Sequence, residues 1–206
     1  MGGSGSEEPR EPVGRADAAR SRLAQAAVEA FAARGFHGTT TRDIAAAAGM
    51  SPAALYVHHR SKESLLFALS LEGHRRTLAL VEAAATSPGG VVERLGRLVA
   101  DFVRHHAVNN TSARVVNYEL AALAPEHLDE ITALRHRIEQ VVVALVTEGV
   151  AAGELSTPDP RMSAAAVTSL GIDVARWFRR GEGWAPDEVA DHYRLLVLRM
   201  LGADPG

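Results

Sequence analysis

The chain has 206 residues, 47% of them apolar and 23% charged, with a formal charge of −3, which allows a sizeable core in one domain or two small ones. It contains no cysteine, which excludes disulfides and thiolate chemistry and fits a reducing cytoplasm. No run reaches the ~18 uncharged apolar residues of a membrane span, and no apolar signal core opens the chain, so the expectation is a cytoplasmic protein without a membrane partner. Residues 1–14 (MGGSGSEEPREPVG) offer almost nothing to bury and are expected as a disordered tail. Asp17 to Arg34 reads as a helix with Leu23, Ala27, Ala30 and Phe31 on one face and Gly35 at its stop.

The stretch from Thr39 to Leu66 (TTTRDIAAAAGMSPAALYVHHRSKESLL) organises the rest. Thr40 can accept the backbone N–H three residues on, and Asp43 there suits the positive end of a helix. Ile44, Ala47 and Ala48 form its apolar face, and Gly49 stops it where a left-handed residue is cheapest. Ser51 caps the next helix, Pro52 takes its first position, and Leu55 anchors it. Ser61 caps a third helix that begins at Lys62. Two short helices joined by a glycine turn form a helix-turn-helix, whose second helix enters the DNA major groove. The charge agrees. From Arg10 to Lys62 there are eight basic and four acidic residues, a net of +4, which leaves −7 for the remainder. Positive charge therefore gathers where phosphates would be met.

Beyond the head, apolar stripes predict further helices. Lys62 runs to about Ala85, where Ser87-Pro88-Gly89-Gly90 breaks it. Val91 to Val108 carries Leu95, Leu98, Phe102 and His106 on one stripe, with Asn109 continuing it. Ser112 to Leu123, Pro125 to Ala152, a helix opened by Asp159-Pro160, and a last one opened by Pro186 follow. No useful strand alternation occurs. The predicted fold is all-α with about nine helices. A helix-turn-helix head spans residues 15–62, and a ligand-binding and dimerisation domain spans residues 63–206.

The matching residues Thr40-Thr41-Arg42, Ile44-Ala45, Gly49, Leu55-Tyr56, His58 and Ser61-Lys62-Glu63 resemble the helix-turn-helix signature of the TetR (tetracycline-repressor) family of bacterial transcription regulators. Double-stranded operator DNA is the implied partner. By that resemblance Thr40, Tyr56, His58 and Lys62 contact or approach phosphates; packing of the head is the other reading for Tyr56 and His58. Arg42, beside Thr41 at the front of its helix, can fork onto guanine or meet phosphate. Ser51, Pro52, Ala53 and Ala54 open the recognition helix, and the alanines can touch thymine methyls but donate no hydrogen bonds. His59 stands where the family usually has Phe.

In the larger domain polar groups interrupt apolar stripes at His106, Asn109, Asn117, Tyr118, Arg135 and Trp177, as in a small-molecule pocket. With Phe102, Ile138 and Val142 they suggest an apolar cavity holding a few polar groups. NYELAALAPEHLDEITALRHRIEQ, EGVAAGEL and ARWFRRGEGWAPDEVADHY resemble the ligand domain of TetR-family regulators of acyl-CoA, steroid and fatty-acid catabolism. That resemblance implies a hydrophobic acyl-CoA effector, with Arg176, Arg179 and Arg180 as a rim for CoA phosphates. His105, His106 and Asn109 do not read as metal ligands, because adjacent histidines point to different helix faces. No cofactor is expected. The last two helices carry more apolar surface than one subunit covers, which predicts a homodimer. The competing reading is an all-α binding protein or enzyme without a DNA role, but the chain has no Gly-rich phosphate loop and no His-Glu-x-x-His arrangement.

Overall fold

The computed structural model describes residues 13–203. Most of the predicted disordered tail, residues 1–14, lies outside them, and Val13 and Gly14 begin the first helix instead of ending a tail. Nine α-helices and one 3₁₀ turn are found among the described residues, with no strand. The chain divides into two compact units between Leu65 and Leu66.

The first unit holds α1 (Val13–Arg34), α2 (Thr41–Ala47), α3 (Pro52–His58) and the start of α4 (Lys62–Ala85). Local chemistry sets each boundary. Thr40 Oγ1 accepts from Asp43 N at 3.2 Å while Asp43 Oδ2 accepts from Thr40 N at 2.9 Å, a reciprocal cap on α2. The Thr40 N–H and hydroxyl, both donating to the Asp43 carboxylate, hold it below the usual range. Gly49, at φ +68, makes the turn without the Cβ strain of other residues. Ser51 Oγ accepts from Ala54 N at 3.2 Å, and Pro52 follows at the first turn of α3. Leu23 and Phe31 of α1, Ile44 of α2 and Leu55 of α3 are almost fully buried. Thr39 is buried beside them, donating between the carbonyls of Ala30 (3.1 Å) and Gly35 (2.9 Å), so no polar group there is stranded.

The second unit continues through α5 (Val91–Val108), α6 (Asn110–Tyr118), α7 (Pro125–Ala151), α8 (Pro160–Trp177) and α9 (Pro186–Met200). Helix α5 is its centre, packing against α6, α7, α8 and α9. Its Leu95, Leu98, Phe102 and Val103 join Leu78 and Val81 of α4, Val142 and Val146 of α7, Val167 and Val174 of α8, and Val197 and Leu198 of α9 in one core. Helix α6 is shorter than its apolar pattern predicts. It stops at Tyr118, and a 3₁₀ turn (Leu120–Ala122) bridges to Ala124, which is extended before Pro125. A residue ahead of proline avoids the helical region, so one helix cannot run through. Asp159 accepts from Arg161 N and Met162 N and so caps α8. No helix among the described residues is long and apolar enough to cross a membrane.

Candidate DNA-reading face and ligand cavity

Helices α2 and α3 present one polar, open face. Ser51, Pro52 and Ala53 are exposed at the start of α3, with Ala54 half-buried behind them. Tyr56 is exposed, and its hydroxyl lies 3.2 Å from Thr41 Oγ1, linking the two helices on their outer side. Thr40 and Arg42 are exposed at the front of α2. His58 is half-buried in the last turn of α3. His59 closes that helix, its N–H donating to the Leu55 carbonyl. Burial first, and then the charges of His58 and Arg20, lowers the pKa of its half-buried ring.

Lys62 is more committed than a free phosphate ligand. Its Nζ donates to the carbonyls of Phe36 (2.6 Å) and Thr39 (2.7 Å) and sits 4.1 Å above the Phe36 ring. It ties the start of α4 to the α1–α2 connection, and one N–H is left for any further partner. Val57, on the outward side of α3 and 80% exposed, was not singled out by the sequence reading. An apolar residue left open on a recognition helix is the signal that would have found it.

Within the second unit, α4 to α8 line a half-open cavity of about 390 Å³, room for roughly a dozen waters. Phe102, His106, Asn117, Arg135 and Ile138 line it. Helix α8 comes close on one side because Gly171 has no side chain: a Cβ there would overlap the Phe102 ring. Four expected residues lie elsewhere. Asn109 is exposed at the end of α5, its amide donating to the His105 carbonyl at 3.0 Å. Val142 is spent in the core. Trp177 packs beside Phe178 and Tyr193 at the end of α8. Tyr118 is exposed on an adjoining groove that shares Arg135, Ser169 and Ile172 with the cavity. Each stripe was read one helix at a time, and which stripes converge is decided by crossings that no single stripe records.

The lining is also more polar than expected. His74, Thr77, Thr132, His136, Glu139, Thr168 and Ser169 also line it, beyond the residues expected from the sequence. His74 and Thr77 interrupt the apolar side of α4 as His106 does on α5, and that interruption was the available signal. The two buried histidines are held alike. His74 Nδ1 lies 2.8 Å from the Ser70 carbonyl and His106 Nδ1 lies 2.8 Å from the Phe102 carbonyl. A carbonyl only accepts, so each Nδ1 carries the proton. Burial, reinforced by the charge of Arg135, lowers both imidazolium pKa values, His106 to about 4, and leaves the rings neutral at pH 7. Arg135 is half-buried and donates to Asn117 Oδ1 at 3.0 Å, and it makes no salt bridge among the described residues. The three arginines expected as a rim are tied up locally: Arg176 forks onto Asp173, Arg179 donates to the carbonyls of Arg176 and Phe178, and Arg180 donates to that of Val108.

Comparison with known proteins matches the two units separately. Residues 23–69 match the family described as bacterial regulatory proteins of the tetR family, and residues 88–201 match the tetracyclin repressor-like C-terminal domain. The HTH-type transcriptional repressor KstR2 of Mycolicibacterium smegmatis is 30% identical over 96% of each chain. A fatty acid metabolism regulator protein of Bacillus subtilis is 24% identical over 65% of this chain and 69% of its own. The crystal structure of a tetR-family regulatory protein from Rhodococcus RHA1 is 44% identical, covering 90% of this chain and 98% of that one, with a TM-score of 0.85. The chain therefore belongs to the TetR family of bacterial transcription regulators, which are DNA-binding proteins and not enzymes.

Proposed function

We propose that the protein is a homodimeric repressor in the cytoplasm that binds a palindromic operator and leaves it when a small effector fills the cavity of the second unit. The observation that carries this is the presence, in one chain, of a capped helix-turn-helix with an open α3 face and a pocket lined by a buried histidine, His74, whose Nε2 has no partner among the described residues. On the DNA side, Thr40, Tyr56, His58 and the remaining N–H of Lys62 serve the phosphates, and Ser51 and Pro52 stand exposed at the start of α3. Thr41 holds Tyr56 in place through their hydroxyl contact. Ala53, Ala54 and Val57 are suited to thymine methyls, and Arg42 to guanine or phosphate.

Dimerisation is supported by apolar side chains left open on the last two helices: Met162 and Leu170 of α8, and Leu196 and Met200 of α9. An acyl-CoA effector is supported by the C-terminal sequence resemblance and by the similarity to a regulator of fatty acid metabolism. Release requires the effector to bind the two states of the protein with different affinity, since equal affinity shifts nothing.

Selection from a random DNA pool tests the DNA half. The expected product is a palindrome whose half-site centres lie about one helical turn (~34–36 Å) or a multiple apart, bound by an even number of chains. Enrichment of no sequence, or occupancy by a single chain, would overturn the proposal.

A further inference from the structure

His74 is 4% exposed and lines the cavity, and its Nε2 has no hydrogen-bond partner among the described residues. His106 is 3% exposed and lines the same cavity, with its one hydrogen bond made through Nδ1. In a neutral ring whose Nδ1 carries the proton, Nε2 is a bare lone pair that can only accept. His74 lies close enough to lower the pKa of the His106 ring, and Arg135 is close enough to lower both. The cavity therefore holds two acceptors of the same kind and, beside them, a guanidinium with donors to spare. A bare hydrocarbon entering here would leave a buried ring nitrogen unsatisfied, and a bare carboxylate would face two lone pairs.

We propose that the effector carries a hydroxyl on its acyl portion, donated to Nε2 of His74, with a neighbouring carbonyl oxygen accepting from Arg135. A 3-hydroxyacyl thioester has both groups, two carbons apart, on a chain whose remaining methylenes meet Phe102 and Ile138. This rests on the acyl-CoA reading of the effector and narrows it from a hydrocarbon to a hydroxylated acyl group. The same pattern disfavours a simple saturated acyl-CoA, because a site built to bond a hydroxyl discriminates strongly against the analogue that lacks it.

The experiment is a calorimetric titration of the full-length protein with a matched pair of CoA esters, 3-hydroxyacyl and unsubstituted acyl, of equal chain length. The expected result is binding of the hydroxylated ester at least about tenfold tighter than the unsubstituted one. The His74→Met variant, confirmed as folded by its melting transition, should lose most of that preference by weakening for the hydroxylated ester while keeping the unsubstituted one. A purely structural role for His74 would lower both affinities together. In the wild-type protein, ¹⁵N signals of the histidine side chains should report a bare Nε2 in the free state and a shift on adding the hydroxylated ester alone. Equal affinity for the two esters overturns the hydroxyl inference and leaves the acyl-CoA reading standing. Failure of both esters to bind overturns the acyl-CoA reading and this inference with it.

Discussion

The two units treat their buried polar groups in opposite ways. In the head the one buried polar side chain among the described residues, Thr39, makes two hydrogen bonds, both helix starts are capped, and Lys62 bonds two carbonyls. Among the described residues of the second unit Ser70 Oγ and His74 Nε2 are buried without partners, and Arg135 pairs with no carboxylate. The difference fits the two roles proposed for the units. A head that must present one fixed surface to a regular duplex gains from satisfying every group internally. A domain that must respond to a guest keeps bonds unmade, because only groups left wanting can make binding strong and selective.

The contrast can be broken first at the open apolar side chains of α9, which belong to neither pattern. Leu196→Glu with Met200→Glu should abolish operator binding and yield monomers or aggregates by sedimentation, with helical content kept; a wild-type protein that is monomeric at micromolar concentration would contradict the dimer. Next comes acidification. Since the folded pKa of His106 lies near 4 and its ordinary value is 6.5, the unfolded chain takes up a proton across that window that the native ring refuses. Stability should therefore fall as pH drops from about 6.5 toward 4, by roughly 3 kcal/mol for this group alone. His74, Arg135 and His105 face the same ring, and His74 should steepen the fall. Urea unfolding against pH checks this, and His106→Leu should flatten the acid limb.

Smaller effects sharpen the picture of the head. Arg42→Ala should weaken operator binding by about 1–3 kcal/mol and relax preference at one position if it forks onto guanine; uniform loss across all positions would assign it to phosphate. Lys62→Ala should lower the thermal stability of the head by about 1 kcal/mol, since two carbonyls lose a charged donor. If its third N–H also reaches DNA, the salt slope of binding should flatten by about one unit. An unchanged slope with a lowered melting point would make Lys62 purely a brace for the α1–α2 connection.

The head was legible because its determinants are local. Thr40 with Asp43, Gly49, and Ser51 with Pro52 act within four residues, so the sequence order alone carries the geometry. Lys62 was only half legible: its place at a helix start is local, but its carbonyl partners lie 23 and 26 residues away. The helices of the second unit follow their stripes, apart from α6, which ends at Tyr118 and gives way to a 3₁₀ turn before Pro125. The cavity was legible only in part. Phe102, His106, Asn117, Arg135 and Ile138 converge there, whereas Trp177 meets Tyr193 and Val142 closes the core. His74 went unread because α4 was judged by its apolar residues, and the polar one among them was the informative one.

The central claim is that a ligand held in the second unit governs the grip of the head on DNA. Its most direct test is the operator dissociation constant at one fixed salt concentration, measured without ligand, with a saturating medium-chain 3-hydroxyacyl-CoA, and with free CoA. The account predicts weakening of operator binding by about 5–150-fold with the ester and no change with free CoA. An operator affinity that stays constant while calorimetry shows the ester bound would contradict it.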